Sequence, residues 1–384
     1  MDATIKPQLY RHLGIFSDWV GEARRQGPLY PEATPGRATQ RLVRETLGFC
    51  NRPEEPRDVR VESVWERAGV AGEEVSWSVG YGPRTHAYVL KPAGAQAPLP
   101  AVVALHDHGA FKFYGKEKIA DGPVDPSPVL VEYRNTCYGG RAYANALARE
   151  GFVVLAPDTF LWGSRGFPLE VMLDQVGDAT AALLDASPLA DDTPFEIARY
   201  NTAAGFHEHI VSKYCNVLGT TMAGVVAHED RIAVNYLLAR PDVLPARVGC
   251  VGLSGGGNRA ALLNATHDRI AAAVIVGLMC TYAGLLDHHI STHTWMLFPF
   301  GWARHGDWPD LAACRAPSPL LVQYALDDEL FTPEGMAAAH ARLTRLFADA
   351  AAPDAYTGQL YPGPHRFDLT MQAAAFTWLK QRLK

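Results

Sequence analysis

Mostly apolar runs of five to seven residues recur along this chain at 101–105, 151–156, 247–252, 271–277 and 320–324. Stretches of helical character lie between or after them, near 140–150, 220–239, 255–265, 333–347 and 369–383. Runs without polar alternation belong to strands covered on both faces. Parallel neighbours cannot be joined by a tight turn, because each crossover takes a dozen or more residues. The pattern predicts an α/β fold, a doubly wound and mostly parallel sheet. Upstream the period changes to two: Val59, Val61 and Val64 alternate with polar residues, and 85–91 repeats the pattern, which predicts an antiparallel start to the sheet. Residues 1–56 hold helix-like stretches at 10–25 and 38–50, broken by Gly27-Pro28, Pro31 and Pro35-Gly36. They predict an N-terminal helical extension ahead of a main domain over 57–384.

Two long segments interrupt the alternation. One spans about 160–219, is turn-rich and carries Asp174, Asp178, Asp185, Asp191 and Asp192; the other spans 279–317 and is rich in His, Trp and Pro. Long insertions after parallel strands are expected to form the walls or lid of a site.

Composition narrows the partners. Hydrophobic residues at 48% and charged residues at 20% suit a packed soluble core rather than a disordered chain. The net charge is −6 and no basic run tracks a phosphate backbone, so nucleic acid is not expected as a partner. No 18-residue apolar stretch and no apolar leader in the first thirty residues occur, so no membrane association is expected. The six cysteines include no C-x-x-C pair, which points to free thiols, a reducing compartment and a cytoplasmic location.

Gly252-Leu253-Ser254-Gly255-Gly256 matches G-x-S-x-G, with an apolar strand before it and a helix after it. A serine on so tight a turn needs nearly side-chain-free neighbours two residues away on each side, and Gly252 and Gly256 supply them. The Gly255 N–H, at the helix N-terminus, is placed to donate to an oxyanion. A Gly-rich phosphate turn is the competing reading, but the spacing G-x-G-x-x-G and a following lysine are both missing.

A serine hydroxyl is a weak nucleophile until a base takes its proton. Asp327-Asp328-Glu329 follows the strand at 320–324, and His365 sits in Gly363-Pro364-His365-Arg366 before the last helix. Ser254, Asp328 and His365 thus stand in nucleophile, acid, base order. Asp327 competes with Asp328 for the acid; resemblance to similar sequences, in which the acid stands a few residues before an apolar–x–Pro step that opens the next helix, implies Asp328 through Phe331-Thr332-Pro333.

The loop His106-Asp107-His108-Gly109-Ala110, after the strand at 101–105, is where a second oxyanion donor is expected, a backbone N–H of His108, Gly109 or Ala110. Trp162, Arg165, Arg134, His293 and Trp295 are candidate substrate contacts. The arginines suit a substrate carboxylate or, equally, a surface or salt-bridged place, and the aromatics of the second insertion, including the Trp302–Trp308 stretch, suit stacking on a sugar or an aryl acid or packing on the body of the fold. His106-x-His108, His207-Glu208-His209 and Asp287-His288-His289 could suggest a metal, yet neither an H-E-x-x-H helix nor a Cys/His quartet is present, and no metal is expected.

Through 106–109, 151–158, 252–256, Asp328 and His365, residues 57–384 resemble the α/β-hydrolase superfamily. Within it they are similar to the dienelactone-hydrolase-like and acetyl-xylan-esterase-like branch with an N-terminal helical extension. Dienelactone hydrolases proper carry a cysteine nucleophile where this chain has Ser254, so their substrate is not carried over. The resemblance implies hydrolysis of a small-molecule ester, a small acyl group on a carbohydrate or modest alcohol, without a cofactor. The same triad could also cut an amide or a carbon–carbon bond or transfer an acyl group, and a non-catalytic binding protein on this fold is a more distant reading. A homo-oligomer is compatible with the sequence.

Overall fold

The computed structural model describes residues 9–49, 53–172 and 195–384; Cys50 and the five aspartates from Asp174 to Asp192 lie outside them. Among these described residues nine strands form one sheet: β1 (Arg57–Arg67), β2 (Val70–Ser78), β3 (Thr85–Pro92), β4 (Leu99–Leu105), β5 (Val153–Pro157), β6 (Val243–Leu253), β7 (Ile270–Val276), β8 (Leu320–Ala325) and β9 (Tyr356–Tyr361). Their order is β1-β2-β3-β5-β4-β6-β7-β8-β9. β1, β2, β3 and β5 pair antiparallel, whereas β5, β4, β6, β7, β8 and β9 are parallel.

The helices among the described residues are α1 (Asp18–Gln26), α2 (Arg37–Leu47), α3 (Pro128–Tyr138), α4 (Tyr143–Arg149), α5 (Phe195–Val217), α6 (Met222–Leu238), α7 (Gly255–Thr266), α8 (Tyr282–Leu285), α9 (Trp308–Ala313), α10 (Pro333–Asp349) and α11 (Leu369–Leu383). Val103 and Leu105 of β4 pack into a core with α2, α6, α7 and α10, while Val102 and Ala104 face a second core with α4 and α11. Burial on both faces is what removed polar residues from these strands. The chain leaves β4 for β5 on one side and returns to β6 on the other, so the loops after β4 and β6 open a crevice at the carboxyl ends of the strands.

The doubly wound, mostly parallel sheet agrees with the sequence reading, and so does its antiparallel start. Three details refine it. β2 was not anticipated, because Glu73 and Glu74 interrupt its apolar pattern; they pair with Arg240 and His86. The valines of β1 are not buried: Val59, Val61 and Val64 are 45%, 60% and 72% exposed on the sheet edge. Trp302 and Trp308 of the second insertion are fully buried core residues rather than sugar platforms.

The N-terminal segment packs closely on the rest. Val43 and Leu47 of α2 sit in the larger core, and Arg342 of α10 donates to the carbonyl of Pro31 at 2.8 Å. Among the described residues no helix is long and apolar enough to cross a membrane.

Candidate active site

Ser254 stands between β6 and α7 at φ 56° and ψ −120°, a backbone conformation costly for any residue with a Cβ. The surrounding glycines make it attainable. A Cβ on Gly252 would lie 2.4 Å from the backbone of Gly256, and one on Gly256 would lie 2.2 Å from the carbonyl oxygen of Leu105. Ser254 is fixed by its N–H, which donates to the Val276 carbonyl at 2.8 Å.

The loop after β8 presents Asp328, which is 5% exposed. Its Oδ2 lies 2.6 Å from His365 Nδ1, and its Oδ1 accepts from the Leu330 N–H at 2.9 Å. A carboxylate can only accept, so Nδ1 carries the proton and Nε2 is left as the basic nitrogen. That Nε2 is buried and has no hydrogen-bond partner among the described residues. Asp327 points elsewhere: its Oδ2 accepts from Gly363 N–H at 2.7 Å, clipping the loop that carries His365.

Opposite lies the loop after β4. A Cβ on Gly255 would come 2.5 Å from the backbone nitrogen of His108, so the first turn of α7 and this loop approach backbone to backbone. Neither N–H has a hydrogen-bond partner among the described residues, whereas Ala110 N–H is occupied by His108 Nδ1 at 3.0 Å. Gly109 at φ 55° turns the loop where a Cβ would strike the Tyr133 hydroxyl and the Asp107 carboxylate. The buried Asp107 accepts from the hydroxyls of Tyr133 and Tyr138, with Lys118 Nζ at 3.5 Å. Burial pushes its carboxyl up, but the Lys118 charge and the two phenols outweigh this and hold it below the usual carboxylate range.

No family model matches the chain. YtaP of Bacillus subtilis (strain 168), provisionally named a hydrolase, is 26% identical over 277 residues, 70% of this chain and 74% of that one. The methylesterase BT1017 superposes with a TM-score of 0.57 at 19% identity, covering 90% of this chain and 64% of its own, so this chain spans somewhat under two thirds of its length. A glucuronoyl esterase from Solibacter usitatus superposes with a TM-score of 0.60 at 15% identity, covering 90% of this chain and 92% of its own. Acetyl xylan esterase 1 from Thermoanaerobacterium sp. JW/SL YS485 gives 0.52 at 14% identity, covering 94% and 98%.

The chain has the α/β-hydrolase fold. In this α/β-hydrolase fold Ser254, Gly255, His108, Gly109, His293 and His365 line one cavity of about 260 Å³, closed by Tyr133, Asn258, Leu297 and Phe331. A volume just under the usual range of about 300–1,000 Å³ for ligand sites suits a small substrate. A larger cavity of about 750 Å³ is lined by Phe49, Phe160, Phe167, His207 and Cys215 among others; among the described residues no hydrogen bond joins His207 to Cys215, and burial pushes the Cys215 thiol up to about 11.

The expected substrate contacts divide. His293 does line the cavity, with Nε2–H donating to the Leu330 carbonyl at 2.9 Å and its ring against Phe331. Burial lowers its pKa to about 4, so it is neutral. The other four do not reach the cavity. Trp162 is buried beneath the β4 loop and donates to the His108 carbonyl at 3.3 Å. Arg165 is sealed in a two-bond ion pair with Glu229, at 2.5 and 3.1 Å, and cannot receive a substrate carboxylate. Arg134 is spent on Asp121 at 2.6 Å and on the carbonyls of Glu117, Lys118 and Ala120. Trp295 is 40% exposed and donates to His209 Nδ1 at 2.9 Å, outside the cavity. Among the described residues no three His, Cys, Asp or Glu side chains gather as a metal site.

Glu208 of α5, which the sequence shows only within a His-Glu-His triplet, is 5% exposed and receives four donors: His108 Nε2 at 2.9 Å, Lys112 Nζ, Thr294 Oγ1 at 2.7 Å and Trp295 N–H at 3.1 Å.

Proposed function

We propose that this protein is a serine carboxylesterase for small esters, acting through an acyl-enzyme with Ser254 as nucleophile, His365 as base and Asp328 as its orienting acid. The observation that carries the reading is the Asp328–His365 contact at 2.6 Å, with a free Nε2 in the cavity of a serine held at φ 56°. Ser254 Oγ attacks the ester carbonyl while Nε2 takes its proton. Charge develops on the carbonyl oxygen, and the N–H groups of Gly255 and His108 receive it; each such donor is worth about 10²–10³ in rate. The imidazolium, steadied by Asp328, then returns the proton to the departing alcohol. Water repeats the cycle on the acyl-enzyme, with His365 again as base.

The small cavity favours a short acyl group. A carbohydrate or small organic alcohol as the other half is supported by the methylesterase, glucuronoyl esterase and acetyl xylan esterase with which the fold superposes, and that part rests on analogy. The test is hydrolysis of p-nitrophenyl acetate, butyrate and octanoate and release of acetate from acetylated xylose. The reading expects kcat/KM to fall as the acyl chain lengthens and all turnover to vanish in Ser254→Ala. Equal rates across chain lengths would remove the small-acyl assignment, and turnover surviving in Ser254→Ala would remove the mechanism.

A further inference from the structure

We infer that Glu208 is the positioning residue of the oxyanion loop, holding the His108 N–H in place from 100 residues away in sequence; the inference rests on the serine-esterase reading above. His108 Nδ1 accepts from Ala110 N–H, so its Nε2 carries the proton and donates to Glu208 Oε2. The imidazole is therefore a fixed strut between its own loop and α5, and the strut ends on a carboxylate that is itself immobilised. Lys112, on the same loop, is buried and reaches the same Oε2, with a second bond at 3.0 Å to the Ala204 carbonyl of α5. Oε1 meanwhile ties down Thr294 and the Trp295 N–H, next to His293 on the opposite wall of the cavity.

A buried carboxylate is tolerated only when its lone pairs are satisfied, and four donors on two oxygens meet that demand. The burial of Glu208 opposes ionisation, and the adjacent His108 and Lys112 outweigh it, so the group stays charged. Such a network has one low-energy arrangement, and it sets two loops at once. Three elements that share no sheet hydrogen bonds, namely the β4 loop, α5 and the 279–317 insertion, are locked in register at one atom pair. Oxyanion stabilisation depends on donors preorganised to within a fraction of an ångström, so loosening this lock should act on the transition state.

The experiment compares wild type with Glu208→Gln and Glu208→Asp. Competent sites are counted by fluorophosphonate labelling, with kcat and KM measured for p-nitrophenyl acetate and Ki for a trifluoromethyl ketone that forms a tetrahedral adduct. Gln removes the charge and faces at least one of the four donors with its own N–H₂. Asp keeps the charge but is too short to serve both loops, and it decides the matter if the Gln variant does not fold. The expected result is a fall in kcat per competent site of about 10-fold to 100-fold, KM within about twofold, and Ki weakened by the same factor as kcat. A kcat per site within twofold of wild type, or a lower kcat with Ki unchanged, would overturn the assignment. Absence of esterase turnover in the wild type would instead strike the underlying reading.

Discussion

Asp328 and His365 meet at 2.6 Å across the loops that follow β8 and β9, while Asp327, one residue earlier, turns to the backbone of Gly363. Adjacent residues in one loop take different partners two residues apart on the other, so two like carboxylates divide the work. One orients the imidazole and the other holds the loop that carries it.

Replacing these two aspartates should therefore give different defects. Asp328→Asn is expected to lower kcat by about 10⁴, the size seen when an orienting acid is lost and the imidazole tautomer is wrong. Asp327→Asn should cost about tenfold or less, since its amide oxygen can still accept from Gly363 N–H. Steady-state kinetics on p-nitrophenyl acetate separates them, and equal losses would count against the assignment.

Glycine substitutions should have opposite signs at two places. Gly256→Ala forces a Cβ to 2.2 Å from the Leu105 carbonyl, so backbone must move; a loss of about 1–3 kcal/mol is expected together with the esterase activity. Gly21, inside α1, offers a Cβ only an ordinary 3.8 Å contact with Arg25, and Gly21→Ala should gain about 0.5–1 kcal/mol. Urea unfolding of both variants reads the difference.

Arg165 is expected to matter for stability and not for substrate affinity. Arg165→Gln leaves Glu229 buried without its partner, a change that costs about 3–5 kcal/mol. KM of the folded fraction should stay within about twofold of wild type. A selective rise in KM would return Arg165 to the substrate site.

One part of the pH dependence of stability comes from His293. Its folded pKa of about 4 lies below the ordinary value of 6.5, so between those limits the unfolded chain binds a proton that the folded chain refuses. This contribution weakens the fold as pH falls from about 7 towards 4. His293→Gln can still donate to the Leu330 carbonyl, and its unfolding free energy should drop less than that of wild type between pH 7.5 and pH 5. Denaturant unfolding at the two pH values checks this.

Several features could be read from the chain because local chemistry imposes them. The parallel strands announce themselves by double-sided burial, and the elbow by Gly252 and Gly256, whose Cβ atoms would collide with backbone. Partnership across sequence distance leaves no such trace. Arg165 reads equally as a substrate clamp or a salt-bridged residue, because nothing near it in sequence shows Glu229, 64 residues on. Glu208 stands between His207 and His209 in a triplet from which no metal is expected, and nothing near it in sequence shows its partners His108 and Lys112, about 100 residues earlier. The valines of β1 alternate as buried residues do, yet edge position leaves them in solvent.

The most direct test of the account is fluorophosphonate labelling of the whole chain followed by peptide mass spectrometry, run beside p-nitrophenyl acetate hydrolysis in wild type and Ser254→Ala. The account predicts a single covalent adduct on Ser254 that forms as hydrolysis disappears, with neither adduct nor hydrolysis in the variant. An adduct on another residue, or hydrolysis that persists when Ser254 is labelled or replaced, would contradict it.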